Sequence, residues 1–219
     1  MELKIDACIA QHQGDRREQQ DKLALVGHMR LAGTVMMVVA DGMGGHTGGS
    51  LASEQVVHTL NVNFQQWYGE DARKLLADSF LEAHTMIKTS RNINEKDPHS
   101  TAVAMVLQPG QVFWGHCGDS RLYAFRGEML RTRTLDHSWV EHLVQQGKLT
   151  PEAAEHHPNK NILITSLGGH EEPRLDFGGI NELRSGDSFL LCSDGLWGYF
   201  DEAELGRLIV EGKAREVVE

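Results

Sequence analysis

Three short apolar runs in the sequence each end at an aspartate that has a glycine close beside it. The runs at 35–40, around 112–117 and at 189–192 lead into Asp41, Asp119 and Asp194, which we call the strand-end aspartates. Apolar runs of this length predict buried strands, and the ends of central strands lie close together when sheets pack in layers. The sequence therefore predicts that three carboxyl groups meet at one end of the fold.

Ordinary turns are the competing interpretation of these aspartates, because Asp-Gly and Asp-Ser are common in hairpin turns. The three together favour a binding site. The neighbouring glycines let a backbone carbonyl or a bulky anion approach, and close carboxylates without a cation would raise one another's pKa. Clustered oxygen ligands suit Mg²⁺ and Mn²⁺, and no cysteine pair or His-x-x-x-His spacing accompanies them. The pattern predicts a site for hard divalent cations.

A fourth aspartate, Asp21, closes a segment that begins with Arg16 and Arg17 and precedes a further predicted strand. A guanidinium group can hold two phosphate oxygens at once. The competing interpretation is a surface ion pair between an arginine and Glu18, which would give these residues no role in binding. Next to an acidic cluster that recruits cations, the segment predicts an arginine that binds phosphate.

The composition is that of a globular protein, with 219 residues of which 40% are hydrophobic and 24% charged. A formal net charge of −10 argues against nonspecific binding to nucleic acid or to anionic lipid. Cys8, Cys117 and Cys192 are widely spaced and suggest no disulfide framework. Residues 1–6 do not resemble a signal peptide, and the run at 35–40 is too short to cross a membrane. We expect a cytoplasmic protein that contacts neither nucleic acid nor membrane.

Hydrophobic periodicity predicts strands and helices in separate groups. Strands are predicted at 3–9, 23–29, 34–40, 101–107, 112–116, 121–125 and 189–192. Helices are predicted at 50–67, 71–91, 138–146 and 201–210, with a further one starting at Thr150-Pro151. The region 147–187 is rich in Gly, His, Pro and Asn and is expected to be mostly irregular. This grouping indicates an α+β layered fold.

Taken in order, these motifs resemble those of the protein phosphatase 2C family in its compact bacterial form. The resemblance rests on the segments 16–21, 41–46 (DGMGGH), 118–121 (GDSR), 136–138 (DHS) and 193–197 (SDGLW). It implies two antiparallel sheets packed face to face as a sandwich, with a helix pair on each outer side. It also implies one catalytic domain over residues 1–219.

The resemblance implies that five residues bind the metal cofactor, either directly or through water. Asp41 would bridge two cations, Mn²⁺ or Mg²⁺, with the Gly42 carbonyl on one and Asp194 on the other. Asp119 would bind a third, looser cation together with Asp194. Asp21 would act mainly through metal-bound water.

The implied reaction is hydrolysis of phosphoserine and phosphothreonine on proteins. Arg16 would take the substrate phosphate, so that Arg16, Asp41 and Asp194 are the predicted catalytic residues. The cations lower the pKa of a shared water, which attacks phosphorus in line while they neutralise the developing charge. The expected partners are phosphorylated proteins and a cognate Ser/Thr kinase that the enzyme opposes, and a monomer is expected.

Two departures from the family pattern leave alternatives open. Gln20 stands where the family usually has an acid, and no Asp-Asn dipeptide occurs in the sequence. The family's Asp-Asn step supplies a direct metal ligand before a last strand, so the domain is expected to lack both. Losing one neighbour of a metal weakens its affinity by ~10–100-fold. A pseudo-phosphatase that binds phosphoproteins without turnover is one alternative, and a sandwich whose cations are purely structural is another.

Overall fold

A computed structural model describes residues 4–44, 46–94 and 97–218 of the chain. Its elements, in chain order, are β1 (Asp21–Gly27), β2 (Val35–Met43), α1 (His46–Gln66), α2 (Ala72–Asn94), β3 (His99–Ser100), β4 (Ala102–Gln108), β5 (Gln111–Cys117), β6 (Arg121–Arg126), β7 (Met129–Arg133), α3 (Trp139–Gln145), α4 (Pro151–Glu155), β8 (Asp176–Ile180), β9 (Asp187–Cys192), α5 (Asp194–Trp197), α6 (Glu202–Leu208) and α7 (Ala214–Val218).

The strands form two antiparallel sheets. The first has the order β1-β2-β4-β5-β8, and the short β3 pairs with the end of β2. The second has the order β7-β6-β9. Within the described part of the chain, every strand pair is antiparallel. The predicted α+β fold of two antiparallel sheets with helices is confirmed.

The central strand β4 shows how the layers stack. Ala102, Ala104 and Val106 are buried in the core that the first sheet shares with α1 and α2. Val103 and Met105, which alternate with them, are buried in a second core with residues of β6 and β9. Because successive side chains of a strand point to opposite faces, β4 has a helix layer on one side and the second sheet on the other.

Helices cover both outer faces of the sandwich. On α1 and α2, the fourfold spacing of apolar residues brings Leu60, Phe64, Leu76 and Phe80 into the first core. On the other side, Leu205 of α6 packs in a third core with Tyr123 and Phe125 of β6. Within the described residues, no helix is both long and apolar enough to span a membrane.

The structure corrects the sequence prediction in two places. The predicted strand at 3–9 is wrong for its described part, since residues 4–20 contain no strand, and Ile5 and Ile9 are exposed. Alternating apolar residues make a strand only when a neighbouring strand offers its edge. The region 147–187 is mostly irregular, as expected, but it also contains the strand β8, which its glycine-rich sequence does not indicate.

Two glycines let β8 pair with β5. A Cβ added at Gly178 would lie 2.5 Å from ring atoms of Trp114, and one at Gly179 would lie 2.9 Å from Phe113. The aromatic side chains of β5 therefore lie directly on the β8 backbone. Glycine in a strand is unfavourable by itself but is required where another group approaches this closely.

We predict that Gly178→Ala destabilises the protein by about 1–3 kcal/mol, because the new methyl group overlaps the Trp114 ring. The free energy of unfolding, measured by urea denaturation, would show the loss. Gly27→Ala is the matched control, since a Cβ at that strand end meets nothing within 4 Å. Equal stability of the two variants would contradict the close packing of β8 on β5.

Candidate metal centre

The first two strands bring a pair of aspartates face to face. In the register of β1 and β2, Asp21 lies opposite Asp41, and their carboxyl groups share a hydrogen bond. Ser193, the residue after β9, donates from Oγ to Oδ2 of Asp21 at 3.0 Å. The end of the second sheet is thereby fixed against the end of the first, which places Asp194 beside the pair.

All four predicted carboxylates interact electrostatically. The charges of Asp21, Asp194 and Asp119 each act on the Asp41 carboxyl, and that of Asp194 acts on Asp119. The structure therefore brings together the strand-end aspartates and Asp21, although they lie up to 173 positions apart, from Asp21 to Asp194. They occupy the end of the sandwich where β1, β2, β5 and β9 begin or end.

Burial and mutual repulsion disfavour ionisation of Asp41, Asp119 and Asp21. The pKa of Asp41 is raised to about 8, chiefly by burial and then by the charges of Asp21, Asp194 and Asp119. The pKa of Asp119 is raised to about 7, chiefly by burial and then by Asp136 and Asp194. Burial also raises the pKa of Asp21. A divalent cation would offset both effects, and this all-oxygen donor set fits Mg²⁺ or Mn²⁺.

Two hydroxyl residues fix the backbone of Asp41. The Asp41 amide donates to Oγ1 of Thr101 at 3.0 Å, and the Thr101 amide donates to the Asp41 carbonyl at 2.8 Å. Ser100 adds a bond from its Oγ to the same carbonyl at 3.1 Å. Oγ1 of Thr101 lies 2.7 Å from Oγ of Ser120, the residue after Asp119. These buried hydroxyls link the ends of β2 and β5.

Gly42 allows the end of β2 to contact the start of α1. A Cβ at Gly42 would lie 2.0 Å from the Gly49 carbonyl oxygen and 2.8 Å from that of Gln20. Its amide also donates to the Gln20 carbonyl at 3.2 Å. Any side chain at this position would separate the two segments, so glycine is required for the approach itself.

Arg16 is exposed, and its charge reaches the carboxylates. The positive charge of Arg16 lowers the pKa of Asp21, against the larger effect of burial. Its guanidinium makes no ion pair with Glu18 within the described ranges, so the surface ion pair considered from sequence is not observed. The side chain is available to an anion at the rim of the acidic cluster.

A histidine cluster lies next to the site but outside the predicted set. His116, His137 and Asp176 have ligand atoms within 4.8 Å of one another. Gly118 donates its amide to Nδ1 of His137 at 3.2 Å, which assigns the ring proton to Nε2, 3.1 Å from Oδ2 of Asp176. A protonated Nε2 cannot bind a cation. Burial lowers the pKa of His137 to about 4, and its ring stacks on His116. The cluster braces the turn before Asp119.

Sequence reasoning assigned no role to Thr101, Ser120, His137, Ser193 or Trp197. Ser120, His137, Ser193 and Trp197 belong to segments that the family resemblance covers, so the motifs located these four, whereas Thr101 lies outside those segments. Their roles depend on hydrogen bonds between segments far apart in the chain. Composition and spacing carry no information on those partners.

Comparison with known proteins agrees with this geometry. A sequence model described as Protein phosphatase 2C matches residues 10–212. The chain belongs to the protein phosphatase 2C family. Protein phosphatase PhpP of Streptococcus pneumoniae is 35% identical over 189 residues, which cover 83% of this chain and 75% of that relative.

Solved structures of other phosphatases share the fold. Serine/threonine phosphatase Stp1 from Staphylococcus aureus superposes with a TM-score of 0.86 at 26% identity, covering 99% of this chain and 89% of that one. The catalytic domain of PstP, solved in complex with two manganese ions, superposes with a TM-score of 0.78 at 27% identity, covering 98% of this chain and 85% of that one.

This protein phosphatase 2C is an enzyme that removes phosphate from phosphoserine and phosphothreonine on proteins by metal-dependent hydrolysis. The relatives are named as phosphatases, and nothing among them supports the pseudo-phosphatase alternative.

We predict that the metal-free protein loses stability as the pH rises from about 6.5 to about 8.5. In that window the folded chain keeps the proton of Asp41, whose pKa is about 8, while the unfolded chain, at 3.8, has released it. Stability linked to this proton is lost as the pH rises through the folded-state pKa. Buried histidines, whose pKa is lowered, affect the pH dependence of stability mainly below this window.

Scanning calorimetry in a chelator should therefore give a lower Tm at the upper pH, and saturating Mn²⁺ should remove the difference. Asp41→Asn should flatten the dependence, whereas the exposed control Asp78→Asn should not. A pH-independent Tm in the metal-free protein would contradict the raised pKa.

Proposed function

We propose that the four carboxylates form the phosphatase's catalytic metal centre. Asp41, the Gly42 carbonyl and Asp194 would hold two divalent cations, Mn²⁺ or Mg²⁺. Asp21 would contribute mainly through water, and Asp119 with Asp194 would hold a third, looser cation. The main support for the proposal is that Asp41 and Asp119 are buried close to the other carboxylates. This raises the pKa of Asp41 to about 8 and that of Asp119 to about 7.

The chain's own residues hold the centre in place. Thr101 fixes the backbone of Asp41 on both sides, so that its carboxyl group keeps one direction. Ser193 orients Asp21 by donating to its Oδ2. Arg16 binds the substrate phosphate and places phosphorus over the carboxylates. When bound, the cations supply a water of lowered pKa as the nucleophile and neutralise charge on the phosphoryl group.

The physiological setting is proposed from the same features. The partners are phosphorylated proteins and a Ser/Thr kinase whose products this enzyme reverses. Residues 1–219 act as one catalytic domain, which the core shared by the two sheets supports, and as a monomer. The buried free thiols of Cys117 and Cys192 support a reducing cytoplasm.

We predict that Asp41→Asn lowers Mn²⁺-dependent release of phosphate from a phosphopeptide by at least about 100-fold, because a bridging ligand is lost. The exposed aspartate variant Asp78→Asn is the control and should retain full activity. Calorimetric titration with Mn²⁺ should show the loss of binding independently of turnover. Activity that persists in a chelator, or in Asp41→Asn, would refute the proposed centre.

We predict that Arg16→Ala lowers kcat/KM for a phosphopeptide by about 10- to 100-fold, the range expected for a lost hydrogen bond to a charged group. Mn²⁺ binding should remain unchanged, since the guanidinium contacts substrate rather than cation. Arg17→Ala is the matched control, because both side chains are exposed and adjacent. Equal effects of the two substitutions would contradict a specific role for Arg16.

A further inference from the structure

Trp197 connects the two loops that carry Asp119 and Asp194. It is the last residue of α5, the helix that begins at Asp194. Its indole Nε1–H donates to the Asp119 carbonyl oxygen at 2.9 Å. Within the described ranges, this is the only hydrogen bond between residues 118–120 and residues 193–198. The bond joins the connection between β5 and β6 to the short helix that follows β9.

The indole ring is itself held from behind. The guanidinium carbon of Arg121 lies 3.7 Å from the ring centroid of Trp197, a cation–π contact. Arg121 is clamped in turn by Asp136, with Nε–Oδ1 and Nη2–Oδ2 distances of 2.8 Å each. Its Nη1 also donates to the Tyr123 hydroxyl at 2.9 Å. The side chains of Arg121 and Asp136 are only 17% and 8% exposed, so the clamp is shielded from solvent.

Such a tether matters because the two carboxyl groups repel. The charge of Asp194 acts on buried Asp119. The pairing of Arg121 with Cys192 in β6 and β9 brings both aspartates to the same end of the second sheet, but each lies two residues beyond that last paired position. Gly118, with φ of 100°, turns the backbone before Asp119 and is held by His137, and the bond from Trp197 reaches the carbonyl on the other side of Asp119. A cation that binds between two carboxylates needs their oxygens at a fixed spacing, which neighbouring hydrogen bonds commonly provide.

We propose that Trp197 is a positioning residue that sets the separation of Asp119 and Asp194 and thereby the affinity of the loosely bound cation between them. The proposal rests on the proposed function, which assigns that cation to these two aspartates. Arg121 and Asp136 act through Trp197 by keeping its indole N–H aimed at the Asp119 carbonyl.

The test is calorimetric titration of the intact enzyme and its variants with Mn²⁺. Trp197→Phe keeps an aromatic ring on Arg121 but removes the N–H donor. We expect its weakest binding step to weaken by about 10-fold or more, as for the loss of a neighbour of a metal ligand. The tighter steps should stay within about twofold of the unsubstituted enzyme. Trp139→Phe, a partly exposed tryptophan on α3, is the control and should change no step.

Two further measurements distinguish a role of Trp197 in positioning Asp119 from a role in stabilising the fold. Asp119→Asn should abolish the weakest step; if it changes none, the assignment of a third cation to Asp119 fails while the two-cation centre stands. The Tm of Trp197→Phe in a chelator should stay near that of the unsubstituted enzyme. Equal weakening of every binding step, or a weakest step left unchanged while Asp119→Asn removes it, would overturn the proposal.

A measurement on the unsubstituted enzyme covers the case in which Trp197→Phe does not fold. The indole N–H resonance of Trp197, followed by NMR during titration with diamagnetic Mg²⁺, should shift with the weakest binding step. The indole resonance of Trp67, which packs against Phe64 in the helix layer, should not follow that step. A Trp197 signal that stays constant through the weakest step would refute the coupling.

Discussion

Asp21 and Asp41 face each other across two paired strands, with Asp194 and Asp119 close enough for their charges to act on Asp41. Burial of Asp41 and Asp119 weakens the screening of this repulsion by water. Without a cation, the folded chain keeps protons on Asp41 and Asp119 at pH values where the unfolded chain has lost them. The sandwich must therefore be stable enough to hold an arrangement of carboxyl groups that opposes its own folding, and the proposed metal centre depends on that arrangement.

The stability comes from the layers around β4. This strand is buried on both faces, by the helices α1 and α2 on one side and by the second sheet on the other. Because a strand covered twice cannot shift its register without exposing apolar residues, the ends of its neighbours are fixed as well. The acidic cluster lies at those ends, where the backbone leaves the sheets and a cation can enter. The apolar core thus determines where the negative charge collects.

The convergence of the strand-end aspartates could be predicted, since each follows an apolar run that suits only a buried strand. Other features depend on partners that no local pattern specifies. The alternation at 3–9 predicts a strand, yet residues 4–20 have no strand to pair with. Gly178 weakens the strand signal of β8, although its bare backbone is what admits Trp114. The bond from Trp197 to Asp119 depends on how the two sheets are set against each other, which spacing alone does not encode.

The two kinds of support in the site have different mechanical consequences. Asp41 is held by two hydrogen bonds with Thr101, since its amide donates to Oγ1 of Thr101 and its carbonyl accepts from the Thr101 amide. The Asp119 carbonyl accepts from a side chain, the indole of Trp197, which packs against Arg121. A backbone anchor resists displacement more than a side-chain tether, because the tether has rotatable bonds. In the proposed centre, these supports would favour a tight site at Asp41 and a more adjustable one at Asp119, so that metal occupancy at the second site could vary without disturbing the first.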